Sequence, residues 1–220
     1  MKILVVADTA LPELWGSWSE YRAKQLSEVE LILSAGDLPQ AYLEFLVTMV
    51  NVPLLYVPGN HDSTYEEKPP EGCLNIDGEV CEYRGVRIWG LGGSMRYKPG
   101  VNMYTESEMA RKTAILELKL GLGHTIDTDG RRHYFKGGII NTNRTVPEIF
   151  LSHAPCRGHG DMDDLAHTGF ECFNGLLSRR RPDYHCYGHV HMEYGMFTRE
   201  STHPSGTREI NVSGMYILDV

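Results

Sequence analysis
This 220-residue chain is poor in cysteine, in long apolar runs and in basic charge, and each deficit removes a class of protein. Cys73, Cys81, Cys156, Cys172 and Cys186 make an odd count with no C-x-x-C pair. A disulfide framework or zinc ribbon does not fit that pattern, whereas reduced thiols in a cytoplasmic protein do. The most apolar stretch, 41–58, is broken by Glu44, Asn51 and Pro53, so it is no membrane span. The run Ile3–Ala7 stops at Asp8, too short for the apolar region of a signal peptide. The expectation is a cytoplasmic protein with no membrane partner. Lys and Arg number 21 against 29 Asp and Glu, a net charge of −8. That balance argues against a nucleic-acid polymer as partner, because phosphates require a basic face.

Repeats, low-complexity segments and linkers are also missing. The chain reads as a single domain over 1–220, long enough to bury a core without disulfides or structural zinc. What is present in the first third is an alternation of strands and helices. Ile3–Ala7, Glu30–Ser34 and Pro53–Val57 read as strands; Ser19–Ser27 and the segment after Pro39, with Leu43, Leu46, Val47 and Val50 at helical spacing, read as helices. This order predicts a parallel sheet with helices packed on it. Strands follow at Glu79–Tyr83 and Val86–Leu91. A helix begins at the capping box Thr105-x-x-Glu108 and carries Met109, Thr113, Leu116 and Leu120 on one face. Residues 121–146 form an excursion with a hairpin around Asp129-Gly130. Val146–Ser152, a helix through Phe170, Phe173 and Leu177, and strands at Tyr184–Tyr187, Tyr194–Phe197, Glu209–Val212 and Tyr216–Leu218 complete the chain. The run Arg179–Arg181 reads as cations complementing the end of that helix.

The chemistry lies in the turns at the strand ends. They read Asp8, Gly36-Asp37, Gly59-Asn60-His61-Asp62, Ser152-His153 and Gly188-His189-Val190-His191. Open α/β sheets bind ligands at the carboxyl ends of their strands, so these turns are expected to share one crevice. They deliver carboxylates, one amide oxygen and imidazoles, a set suited to manganese, iron or zinc. Glycines 36, 59 and 188 permit the sharp turns. Seven of the ten histidines fall between residues 153 and 203. Taken singly, each piece is also what a helix cap, an ordinary turn or a structural histidine looks like; His189-x-His191 and the Gly59–Asp62 tetrad are the more specific members.

In this order the blocks resemble the calcineurin-like metallophosphoesterase superfamily, whose motifs read D-x-H, G-D, G-N-H-D or G-N-H-E, H and G-H-x-H. The likeness runs from residue 8 to residue 191. It implies an α/β fold, a four-layer αββα sandwich of two mixed β-sheets flanked by helices, with a centre of two divalent metal ions. Carried over by position, Asp37 bridges the ions, Asn60, His153 and His189 complete one site, and Asp8 and His191 belong to the other. The implied reaction is hydrolysis of a small phosphomonoester or phosphodiester by metal-activated hydroxide. His61 stabilises or protonates the leaving oxygen. Asp62 either orients His61 or caps the following turn.

The first block departs from the family pattern. It reads Asp8-Thr9-Ala10, and Ala10 has no lone pair to give. The Asp8/Asp37/His191 site is therefore expected to bind its ion more weakly, unless water or Glu13 substitutes. The stretch Leu14-Trp15-Gly16-Ser17-Trp18 resembles a bacterial branch that lacks this histidine. Two outer residues are candidates for the substrate: His167, in a step like the H-x-G of bacterial members, and Arg96, which either faces the phosphate or lies on the surface. His159 is read as loop chemistry, and His124, His133, His185 and His203 receive no role. A binding scaffold without catalysis is the alternative, weighted by Ala10. A DNA nuclease fits poorly with the acidic charge and the absence of a large capping domain. Pocket walls from residues 9–20, 92–104 and 121–146, not the ligands, choose among monoester, cyclic diester and pyrophosphate.

Overall fold
The computed structural model describes residues 1–15, 20–134, 146–191 and 198–220. The first sheet contains β1 (Lys2–Ala7), β2 (Val29–Ser34), β3 (Leu54–Tyr56), β4 (Cys73–Asn75) and β15 (Gly214–Asp219) in the order β15-β1-β2-β3-β4. Its β1 to β4 are parallel, and β15 joins β1 antiparallel, so the sheet is mixed rather than purely parallel. The second sheet runs β10 (Arg132–Tyr134), β9 (His124–Ile126), β5 (Val80–Tyr83), β6 (Val86–Leu91), β11 (Glu148–Ser152), β12 (Tyr184–Tyr187), β14 (Arg208–Asn211) and β13 (Glu200–Thr202). Its centre, β6-β11-β12-β14, is parallel; β10-β9, β5-β6 and β14-β13 are antiparallel, and β9 joins β5 in parallel. A short pair, β7 (Ser94–Met95) and β8 (Met103–Tyr104), lies beyond β6.

Three apolar clusters make the layers. Ile3, Val5, Leu31 and Leu33 of the first sheet meet Ile88, Ile149, Leu151 and Ile210 of the second. Leu4, Val6 and Ile32 point the other way, onto Leu26 of α1 (Glu20–Leu26) and Tyr42, Leu43 and Leu46 of α2 (Gln40–Val50). On the far side Trp89 and Phe150 pack against α3 (Glu106–Leu122) and α4 (Glu171–Arg180) through Met109, Leu116, Phe173 and Leu177. Both faces of β1 are thus covered, which is why its sequence is an unbroken apolar run rather than an alternation. The arrangement is the expected αββα sandwich. Each fully buried leucine or isoleucine contributes about 1.5–3 kcal/mol against exposure, and these layers are dense with them.

Helix boundaries follow local chemistry. Thr105 accepts from the Glu108 amide while the Glu108 carboxylate accepts from the Thr105 amide, closing the capping box at the start of α3. The helix runs past Gly121 to Leu122 and ends on Gly123 at φ 72°. The excursion begins as an antiparallel hairpin, β9–β10, closed by Asp127 and Arg131. The expected strand Tyr194–Phe197 and the rest of the excursion, 135–145, lie outside the described residues. Strands β4 and β13 were not legible in the sequence, being three residues long with no clear alternation. Among the described residues no helix is long and apolar enough to cross a membrane.

Candidate metal centre
The candidate ligands sit just past the carboxyl ends of β1, β2, β3, β11 and β12. Asp8, Asp37 and His189 hold left-handed backbone, at φ 63°, 56° and 70°. For an L-residue that conformation costs about 1–2 kcal/mol, and here it turns each side chain toward the common crevice. Close backbone approach does the rest. A Cβ on Gly59 would lie 2.0 Å from Asp37 Oδ1, and one on Gly188 would lie 2.9 Å from both Asp8 carboxylate oxygens. Only glycine fits at either place.

Each buried imidazole is fixed by a backbone carbonyl. His153 Nδ1 lies 2.8 Å from the Ala35 oxygen and His189 Nε2 lies 2.8 Å from the Ala166 oxygen. A carbonyl only accepts, so these nitrogens carry the protons and the opposite nitrogens offer lone pairs. His153 Nε2 faces Asn60 Oδ1 at 3.0 Å and Asp37 Oδ2 at 3.3 Å. Asp37, His153 and His189 each bring a ligating atom within 4.8 Å of the other two. Three kinds of acceptor thus converge in a buried place, which is unfavourable unless positive charge sits among them. Asp8 supports the same conclusion: its Oδ1 accepts from the His189 amide at 2.9 Å, while Oδ2 is buried without a partner among the described residues. The residues fit a divalent cation.

Electrostatics agree. Burial opposes charge on His153, but Asp37 and Asp8 outweigh it and raise the imidazole to about 9. Asp37 is pushed up by burial and pulled down further by His153, so it titrates below the usual carboxylate range. Without an ion, the proton on His153 supplies the missing positive charge, and a bound cation would release it. Burial, reinforced by His153, lowers His189 to about 3, leaving it neutral at physiological pH as a ligand must be. Burial raises Asp8.

The remaining candidates fall into place differently. His61 is exposed, and its amide donates to Asp37 Oδ1 at 2.8 Å. Asp62 does not bond the His61 ring; its Oδ2 accepts from the Asp37 amide at 2.8 Å and the Gly59 amide at 2.7 Å, so it braces two loops. Burial, with Asp37 next to it, raises Asp62 to about 6. His191 is half-buried and close enough to Asp8 to stabilise its charge. His167 packs with its ring centre 5.4 Å from that of His189, and its Nδ1 meets Asp164 at 2.9 Å. Arg96 lies at the start of α3, where its guanidinium bonds the Met103 carbonyl at 3.1 Å and Glu108 at 2.8 Å. Ala10 packs against the apolar layer beside α2, and Glu13 is exposed on the Pro12–Leu14 turn. Sequence reasoning missed the carbonyls of Ala35 and Ala166, and Asn102, whose amide donates to the Gly59 carbonyl at 3.1 Å. Backbone carbonyls carry no residue-type signal, so nothing in the sequence could have singled them out.

Comparison with known proteins accords with this geometry. Residues 1–193 match the family model of the calcineurin-like phosphoesterases. Two UPF0046 proteins of Caenorhabditis elegans are 34% identical over 61 residues and 42% identical over 53 residues. Those segments are 25% and 23% of this chain, and only 22% and 13% of the worm proteins. One solved crystal structure aligns with a TM-score of 0.63 at 14% identity, covering 99% of this chain and 94% of its own. The crystal structure of TT1561 of Thermus thermophilus aligns with a TM-score of 0.56 at 15% identity, covering 97% of this chain and 89% of that one. At such identities the likeness is one of fold.

Proposed function
The chain belongs to the calcineurin-like phosphoesterase family, and from that premise we propose that it is a metal-dependent hydrolase of a small phosphomonoester or phosphodiester. The observation that carries the reading is the convergence of Asp37, His153 and His189 within 4.8 Å, with their protonated nitrogens turned away onto carbonyls. Asn60, Asp37, His153 and His189 would hold one ion; Asp8, Asp37 and His191 would hold a second. Bound ions supply positive charge for the phosphate oxygens and acidify water.

The chain's own groups do the rest. His61 stands at the mouth of the crevice, its backbone tied to Asp37, and gives its proton to the leaving oxygen. His167, held through Nδ1 by Asp164 and packed beside His189, stands where its imidazole would meet a phosphate oxygen. Asp62 is a positioning residue, acting through the amides of Asp37 and Gly59. Hydrolysis of a chromogenic phosphodiester and the matching monoester tests the proposal: turnover should depend on added manganese. His61→Ala should lower turnover about 10²–10⁴-fold with metal content unchanged. Unaltered turnover in that variant contradicts the role given to His61.

Ala10 favours a second reading, a fold-keeping scaffold with weak or no catalysis. The absent imidazole leaves the Asp8 side short of a ligand, and loss of even an outer partner costs about 10–100-fold in metal affinity. One ion should survive exhaustive dialysis and the other should exchange. Two tightly held ions per chain would refute this asymmetry.

A further inference from the structure
Away from that centre, a second group of buried ligating side chains meets among the described residues: Cys156, His185 and Glu209, with ligating atoms all within 4.8 Å of one another. Their only trace in the sequence is the spacing Cys156-x-x-His159. His185 on β12 and Glu209 on β14 stand directly opposite in register. They lie on the face of the second sheet covered by α4, where His185 stacks on Phe150 with ring centres 4.7 Å apart. Cys156 comes from the loop after β11. All three residues are fully buried.

Proton accounting shows what the cluster lacks. Ser152 Oγ lies 2.6 Å from the Ala154 carbonyl and 2.8 Å from His185 Nε2. Its single proton goes to the carbonyl, so Ser152 accepts from His185, and Nε2 carries a proton. Nδ1 then turns its lone pair toward Glu209 Oε1 at 3.3 Å and Cys156 Sγ at 3.8 Å. A lone pair against a carboxylate in a dry interior needs a positive charge between them. Either a second proton or a metal ion can supply it, and the spacing admits the ion. A tetrahedral zinc with bonds of about 2.0 Å to nitrogen and oxygen and about 2.3 Å to sulfur sets N···O near about 3.3 Å and N···S near about 3.5 Å. A second proton would bind His185 to Glu209 with the Cys156 thiol as a further donor to that carboxylate, whereas a zinc ion engages all three side chains at once. The other carboxylate oxygen, Glu209 Oε2, meets His159 Nδ1 at 3.3 Å and Ser201 Oγ at 3.3 Å. His159 is half-buried and forms the side of the cluster open to solvent.

We propose that Cys156, His185 and Glu209, with His159 closing the open side, form a second metal site that takes zinc. Thiolate, imidazole and carboxylate together select zinc over magnesium, calcium or manganese. Binding exchanges the Cys156 thiol proton for the ion and releases that proton to solvent. The site ties β12 and β14 to the start of the 156–170 loop, which carries the Ala166 carbonyl that orients His189.

Cobalt(II) substitution tests this. The whole chain, stripped with chelator and titrated with cobalt(II) chloride, should develop thiolate-to-cobalt charge-transfer absorption that saturates and is bleached by zinc. The centre around Asp37 has only oxygen and nitrogen donors and cannot produce that band. Cys156→Ser should abolish it and His189→Ala should keep it. Glu209→Gln, a near-isosteric change, should weaken cobalt binding about 10-fold or more, and it decides the matter should Cys156→Ser fail to fold. A wild-type chain without the band, a band that survives Cys156→Ser, or unchanged cobalt affinity in Glu209→Gln overturns the proposal.

Discussion
At the carboxyl ends of β1, β2 and β12, side chains of Asp8, Asp37 and His189 hang from left-handed residues pressed against glycine backbone. The cluster of Cys156, His185 and Glu209 is made differently: two of its members sit in regular strands, opposite each other in an undistorted ladder. The first device stores local strain and keeps a mouth open at His61; the second costs the backbone nothing and closes nearly everything off. Strain that survives at one end of a sheet and not in its middle marks where the fold has been bent to hold chemistry rather than to hold itself together.

Phe150→Ala should separate the two regions most forcefully. Phe150 is fully buried, stacked on Trp89 at 4.7 Å and on His185 at 4.7 Å. Its loss should destabilise the chain by about 3–5 kcal/mol in denaturant unfolding. The folded fraction should keep manganese-dependent turnover while its thiolate–cobalt band weakens; a loss of turnover per folded molecule would show that the two regions are one unit.

Gly59→Ala is the converse. The added methyl collides with the Asp37 carboxylate, and misplacing such a group by about 1 Å costs about 100-fold in rate. Turnover should fall by that order with the cobalt band intact. Turnover near the wild-type level would mean that Asp37 does not need the position it occupies here.

A smaller, remote change serves as the control. The Thr105 amide and hydroxyl, with Arg96, hold Glu108 below its ordinary pKa. A carboxylate so depressed contributes stability above its unfolded value of about 4.3, and that contribution disappears as pH falls through the lower native value. Glu108→Gln should therefore melt below the wild type at neutral pH, with the gap closing in acid, and both clusters should be unaffected. A gap that is independent of pH would mean that the charge of the capping carboxylate does not stabilise α3.

The two clusters also differ in how far the sequence discloses them. Gly36-Asp37, Gly59-Asn60 and Gly188-His189 are legible because a turn after a strand that is left-handed at Gly36 and closely packed at Gly59 and Gly188 demands glycine next to a polar residue, and that demand leaves a pattern. The sandwich was legible for a related reason: strands buried on both faces, such as β1, read as apolar runs between helical segments. His185 and Glu209 left no such mark. They look like any polar residues in strands, and only the register of β12 against β14 brings them together. The pairing of Arg96 with Glu108 was hidden because the capping box that holds Glu108 is read separately from the glycine turn before Arg96. The brace formed by Asp62 was hidden for the same reason as the carbonyls of Ala35 and Ala166: its partners are backbone amides.

Manganese titration of ester hydrolysis, run in parallel on the wild type and His189→Ala, bears most directly on the metal centre and its chemistry. Wild-type turnover should be abolished by chelation and should saturate only at high manganese, because the Asp8 side lacks an imidazole at Ala10. His189→Ala should show no metal-dependent turnover. Hydrolysis that persists in chelator, or that His189→Ala retains at the wild-type level, would contradict a metal-dependent phosphoesterase built on this centre.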